Sequence, residues 1–170
     1  VPDRLPLGDR SLAMPILRTE GLASERTLSE VTLEFCRHLG IKARVLPMSD
    51  QPVRTLVHCD SETLAFQHYF VRERCAPRVR GFSFAGAESA RPAAGVLEAL
   101  ADPQLRGVII CPSNPFLSID PILAVPGVRA ALKASAAPVI AVSPIVAGLA
   151  IKGPTAKMMA ELNVPATALA

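Results

Sequence analysis

Two short loops carry most of the groups in this sequence that could do chemistry. Pro112-Ser113-Asn114-Pro115 follows the apolar run Gly107 to Cys111, so Ser113 and Asn114 stand where a buried strand ends. Two prolines fix the backbone course there, and a hydroxyl beside a carboxamide offers donors and acceptors to a phosphate, a ribose or a ring carbonyl. The plainer role of the same residues is to cap local backbone groups, which Ser and Asn do in most loops. The second loop runs Ser143-Pro144 to Gly148, then Lys152-Gly153-Pro154 ahead of a helical pattern. Glycines permit close backbone approach and a lysine adds charge, the ingredients of a phosphate cradle. Neither GxxxxGK[ST] nor GxGxxG occurs, so neither a Walker loop nor a dinucleotide fingerprint is present.

Asp9-Arg10 and Ser49-Asp50 are the remaining candidates, because a carboxylate in a tight loop can hold a divalent cation or orient a hydroxyl nucleophile. Each pair also reads as an ordinary turn. His38, His58 and His68 have no partner pattern, and no catalytic histidine is assigned. Cys36, Cys59, Cys75 and Cys111 lie too far apart for a CxxC pair and lack a histidine to complete a zinc set. Reduced thiols in a cytoplasmic protein are expected.

The elements that must position these loops follow from pattern. Val108 to Cys111, the loop 112–118, a helix over Pro126 to Ala134, a second strand Pro138 to Val142, the loop 143–153 and a helix Pro154 to Leu162 make two successive strand-loop-helix units. Such units require parallel strands with right-handed crossovers, which puts both loops at one carboxyl edge, where open α/β sheets bind ligands. Earlier in the chain the structure should open irregularly through Leu7 to Arg10. Thr27 and Glu30 then form a capping box for a helix to Leu39, stopped by Gly40. Strands are expected at Ile41 to Leu46, Val53 to His58 and Val79 to Phe84, a strand running into helix at Phe66 to Val71, and a helix from Pro92 to Leu100.

Composition agrees with this class. Half of the 170 residues are hydrophobic and only 4% aromatic, a small-aliphatic usage that suits a parallel sheet covered by helices more than a sandwich. The net charge of +3 is scattered, with no basic and aromatic interleaving of a nucleic-acid face. No apolar run reaches the ~20 residues of a membrane span. The expectation is one α/β domain over residues 1–170, Rossmann-like and three-layered with a mostly parallel sheet, cut from something longer at both ends.

At these loops the sequence resembles a known family. Pro112-Ser113-Asn114-Pro115 with Ser118-Ile119-Asp120-Pro121-Ile122-Leu123 resembles the PSNP...SI.PIL signature of the 2-phospho-L-lactate transferases. Ser143-Pro144-Ile145 with Lys152-Gly153-Pro154-Thr155-Ala156-Lys157-Met158-Met159 is similar to their SPI...KGPAAKMM block. Leu7-Gly8-Asp9-Arg10, Arg18-Thr19, Leu46-Pro47-Met48-Ser49-Asp50 and Phe66-Gln67-His68-Tyr69-Phe70-Val71 match further blocks in the same order.

The resemblance implies transfer of a phospholactyl, phosphoenolpyruvyl or phosphoglyceryl group from a guanosine diphospho-linked acid to the deazaflavin FO. It also implies release of GMP, magnesium as the cofactor, and a place in the biosynthesis of coenzyme F(420). It implies Asp50 and Asp9 as catalytic carboxylates bordering the site. Ser113, Asn114, Ser118, Ser143, Lys152, Gly153, Arg10, Met48 and Ser49 become substrate-binding residues, and a homodimer the candidate assembly. Gln51 departs from the family's second Asp, and Ala147-Gly148-Leu149 from its Gly-Gly pattern. The family's amino-terminal Gly-rich unit and the acidic segment after it have no counterpart in the chain, so weak or absent turnover by the chain alone is expected. The alternatives are a nucleotide- or sugar-nucleotide-binding regulatory module related to the gluconeogenesis factors and an inactive fragment.

Overall fold

A computed structural model describes residues 9–150 and 153–167. Helix α1 spans Asp9–Ala23 and α2 spans Leu28–His38. The capping box is present: the Thr27 side chain accepts from the Glu30 N–H, and the Glu30 carboxylate accepts from the Thr27 N–H at 2.7 Å. Gly40 follows the helix with φ +66. Helix α1 replaces the end of the irregular opening expected through Leu7 to Arg10, of which Leu7 and Gly8 lie outside the described residues, and it carries Pro15 in its interior.

Strands β1 (Arg54–Cys59), β2 (Thr63–Ala65) and β3 (Val79–Ala85) form an antiparallel sheet in the order β2-β1-β3. Between β2 and β3 the chain makes a π-helical turn, His68–Arg72. The strand expected at Phe66 to Val71 is thus displaced upstream, and that stretch is helical. Ile41 to Leu46 has the right residue types for a strand, but it pairs with none among the described residues. A ladder needs a neighbour as well as a pattern.

Helix α3 (Val96–Ala101) starts later than the Pro92 signal. The N–H groups of Arg91 and Ala93 are held instead by the Gln51 side chain at 2.8 Å and the Met48 carbonyl at 3.2 Å, which keeps this stretch out of the helix. Strand β4 (Val108–Ile110) pairs in parallel with β5 (Val139–Ala141), in the register Val108 to Val139 and Ile110 to Ala141. Between them lie a π-helical turn, Pro115–Ile119, and helices α4 (Asp120–Leu123) and α5 (Val128–Ala134). The second loop contains a tight hairpin, β6 (Ile145–Val146) and β7 (Leu149–Ala150), turned by Ala147 and Gly148 at φ +50 and +76. Helix α6 (Thr155–Glu161) follows.

The α/β class holds, with parallel pairing confined to β4 and β5 and the other described strands antiparallel. Two apolar clusters organise it. Val57, Leu64, Tyr69, Val79 and Met158 join the three-stranded sheet to α6, and Ala90, Val125 and Val128 join α3 to α5. Each fully buried Val or Met in the first cluster contributes roughly 1.5–3 kcal/mol. The expectation that β4 and β5 are buried is corrected: Ile109 is 67% and Ile140 56% exposed. An apolar run reports what a strand could be packed against, and no signal in it reports whether that layer is there.

Candidate functional site

Because β4 and β5 are parallel neighbours, the loops that leave them emerge side by side, and the Val142 N–H closes onto the Ile110 carbonyl at 3.0 Å. In the first loop the Asn114 side-chain oxygen Oδ1 accepts the N–H groups of Phe116 and Leu117 at 3.0 and 3.1 Å, capping the turn that follows. Its amide nitrogen reaches the Met158 sulfur at 3.4 Å, tying the loop to α6. Phe116 stacks on Phe82 of β3, with ring centroids 5.6 Å apart. In the second loop the Ser143 hydroxyl accepts the Ile145 N–H at 3.1 Å, and Gly153 turns the chain into α6 at φ +73.

Between these loops and the 66–70 segment lies a cleft of about 430 Å³. Phe66 and Phe70, with centroids 5.4 Å apart, make one wall; Ser113, Asn114 and Ser118 edge another; Gly153 to Thr155 close a third. A smaller depression of about 170 Å³ adjoins it, sharing Ser113, Pro144 and Thr155 and adding Ser143 and Cys111. Among the described residues, no side chain lining the larger cleft is charged. Such a space, apolar on its faces with hydroxyl and amide groups along one edge, accommodates a planar ring that hydrogen-bonds at its rim.

The structure therefore gathers Ser113, Asn114, Ser118 and Gly153 around one cleft and Ser143 beside it. Met48, Ser49 and Asp50 line neither space. Ser49 is buried and exchanges hydrogen bonds with Gln51, and both Asp50 oxygens are taken by Ser29. Lys152 and the side chains of Asp9 and Arg10 fall outside the described residues. Among the described residues no three His, Cys, Asp or Glu side chains converge as a metal site.

Sequence reasoning passed over Phe66, Phe70 and Thr155 as site residues, although they sit inside the blocks that carried the resemblance. It also passed over Lys157. That ammonium is 2.7 Å from one Glu161 oxygen and 2.8 Å from the other, 3.0 Å from the Pro77 carbonyl and 3.3 Å from the Tyr69 hydroxyl. Burial works to lower its pKa, but the hydrogen bonds to Glu161 and Tyr69 outweigh burial and hold it above the ordinary lysine range. Burial raises the Tyr69 pKa, with Lys157 opposing, so the phenol stays protonated at neutral pH.

Polar loops at the carboxyl edge of a parallel strand pair, facing an aromatic wall, define an α/β protein with a cleft at the edge where open sheets hold ligands. The chain belongs to the 2-phospho-L-lactate transferase CofD family, whose model matches residues 4–169. It is 40% identical over 171 residues to a phosphoenolpyruvate transferase of Kitasatospora aureofaciens, covering 98% of this chain and 53% of that protein. It is 38% identical over 125 residues to a 2-phospho-L-lactate transferase of Haloarcula marismortui, covering 74% of this chain and 37% of the relative. The chain thus spans about half the length, 53%, of the first of these relatives. Its fold is similar to that of a UPF0052-family protein of Bacillus halodurans, with TM-score 0.60 at 17% identity, covering 81% of this chain and 44% of that one.

Proposed function

We propose that the chain supplies acceptor- and donor-binding walls of a phospho-group transferase of coenzyme F(420) biosynthesis. In this reading the terminal ribityl hydroxyl of FO attacks the phosphorus that carries the acyl group of a guanosine diphospho-linked donor. An O–P bond forms to FO, the P–O bond to GMP breaks with its electron pair leaving on GMP, and the hydroxyl loses its proton. The alignment with the Kitasatospora aureofaciens phosphoenolpyruvate transferase runs over 98% of this chain, against 74% for the Haloarcula marismortui 2-phospho-L-lactate transferase. That supports phosphoenolpyruvyl as the group carried.

The observation that carries the reading is the cleft between Phe66, Phe70 and the Ser113-Asn114 loop, lined among the described residues by uncharged side chains, in a chain that matches the family across residues 4–169. A diphosphate in a cleft without cations would be poorly compensated, whereas a deazaflavin ring is suited to aromatic faces and a hydroxyl edge. The ring is therefore assigned to this cleft. The phosphates are assigned to the side of Ser143, Gly153 and Lys152. Transfer of this kind asks the protein for positioning and charge neutralisation more than for covalent help.

Magnesium would supply that neutralisation. The described residues do not fit a site for it, since no three candidate ligands converge and Asp50 is engaged by Ser29, so no step is derived through the ion. A cytoplasmic location and a homodimeric assembly belong to the same proposal; no single helix among the described residues is long and apolar enough to cross a membrane.

Titration of FO with the purified chain, followed by the fluorescence of FO itself, tests the reading. Saturable quenching that is weakened in Phe70→Ala supports it. Unchanged emission, with GDP still bound, would favour the nucleotide-binding regulatory alternative.

A further inference from the structure

Lys157 stands two residues beyond Thr155, which lines the cleft, but it is not itself a lining residue, and its ammonium bonds to Tyr69, next in sequence to the lining residue Phe70. An ammonium has three donors, and here the partners are Tyr69, Pro77 and Glu161. Glu161 uses the same carboxylate to accept the Val79 N–H, the first of β3, at 3.0 Å. Tyr69 has no exposed surface, donates its hydroxyl to the Cys75 carbonyl at 3.2 Å and lies between Phe66 and Phe70 in sequence. Arg74 and Cys75 are held at φ +50 and +59, a backbone course that side chains of this kind rarely adopt, and it is this turn that offers the Cys75 and Pro77 carbonyls to Tyr69 and Lys157.

A half-buried ammonium is a poor device for stability alone. Its desolvation offsets much of the gain, and an apolar side chain of similar volume would pack against Tyr69 as well. What the charge adds is direction: it fixes the distance between the helix that carries Thr155 and the turn that carries Phe70. We propose that Lys157, held by Glu161, is a positioning residue that sets the width of the cleft. For its effect on substrate the inference rests on the reading of that cleft as the FO site.

Two measurements on Lys157→Met, Lys157→Arg and the core control Val57→Ala test it: amide hydrogen exchange along the chain, and the dissociation constant for FO from its fluorescence. In Lys157→Met, exchange should quicken about tenfold in residues 66–72 and 153–158 with β1 and α5 unchanged, and FO affinity should fall about tenfold. Lys157→Arg, which keeps the charge, should recover most of both. Val57→Ala should lower the melting temperature while leaving the affinity in place. If Lys157→Met does not fold, Glu161→Gln provides the same comparison with the shape of the brace retained. The proposal is overturned if exchange in those two segments matches the wild type, or if it rises evenly over the whole sheet as in Val57→Ala. Local exchange as expected, in a wild type that binds no FO, would sink the transferase reading and leave the brace standing.

Discussion

The carboxylate of Asp50 accepts two hydrogen bonds from Ser29, one from its backbone N–H at 2.7 Å and one from its hydroxyl at 3.0 Å. Ser29 is in the first turn of α2, where amides lack helical partners, so Asp50 acts as a cap delivered from a distant loop. Asp50→Ala should therefore lower unfolding free energy by about 1–2 kcal/mol in urea titration, and Asp50→Asn by less. FO affinity should be unchanged in both. A loss of affinity with stability intact would return Asp50 to the role of a site carboxylate.

Asn114 has a similar double character. Its side-chain oxygen is committed to Phe116 and Leu117, while its amide nitrogen, among the described residues, meets the sulfur of Met158, a weak acceptor. Asn114→Ala should cost about 1 kcal/mol of stability, and Asn114→Asp, which keeps the capping oxygen, should cost less than half of that. Comparing FO binding of the two variants isolates the donor: equal losses mean that the nitrogen touches ligand.

The pKa of Lys157 is raised on folding, so the brace contributes stability in full below the unfolded lysine value of about 10.4. That contribution is lost as pH rises through the higher folded value. The difference in unfolding free energy between wild type and Lys157→Met should be flat from about pH 7 to 10 and shrink above it. A difference that shrinks between neutrality and about pH 9 would mean that Lys157 is not charged by this network.

Gly86 has φ +87, and a Cβ built on it would lie 2.4 Å from the Pro52 carbonyl oxygen, a backbone atom that cannot swing aside. Gly86→Ala should destabilise by at least about 2 kcal/mol, with the β1–β3 end of the sheet opening first in hydrogen exchange. A change below about half a kcal/mol would show that the Pro52 loop gives way.

The parts of this molecule that were legible beforehand are those written in local sequence. Thr27 and Glu30 announced the start of α2, and two apolar runs with loops between them implied the parallel pairing of β4 and β5. Ser113, Asn114, Ser118 and Gly153 were readable as cleft residues because topology alone brings their loops together. What could not be read depended on partners far away. Asp50 looked like a reactive carboxylate until Ser29 claimed it, Pro92 looked like a helix start until Met48 and Gln51 held its neighbours, and Lys157 has no local feature that points to Tyr69. Helix α1 had no capping signal to announce it, and it carries Pro15 in its interior, which a helix can do at the cost of one hydrogen bond.

Met158 closes the cluster formed by Val57, Leu64, Tyr69 and Val79, and it comes late in the chain. A ribosome adding roughly 5–20 residues per second will have released the three-stranded sheet several seconds before α6 emerges. Through that interval one face of the sheet has no helix to cover it, and the β3 amide that Glu161 will accept has only water. The order of synthesis therefore leaves apolar surface of the nascent sheet uncovered over a defined stretch of its length. A message cut short before the codon for Met158 would yield a sheet that cannot finish its own core.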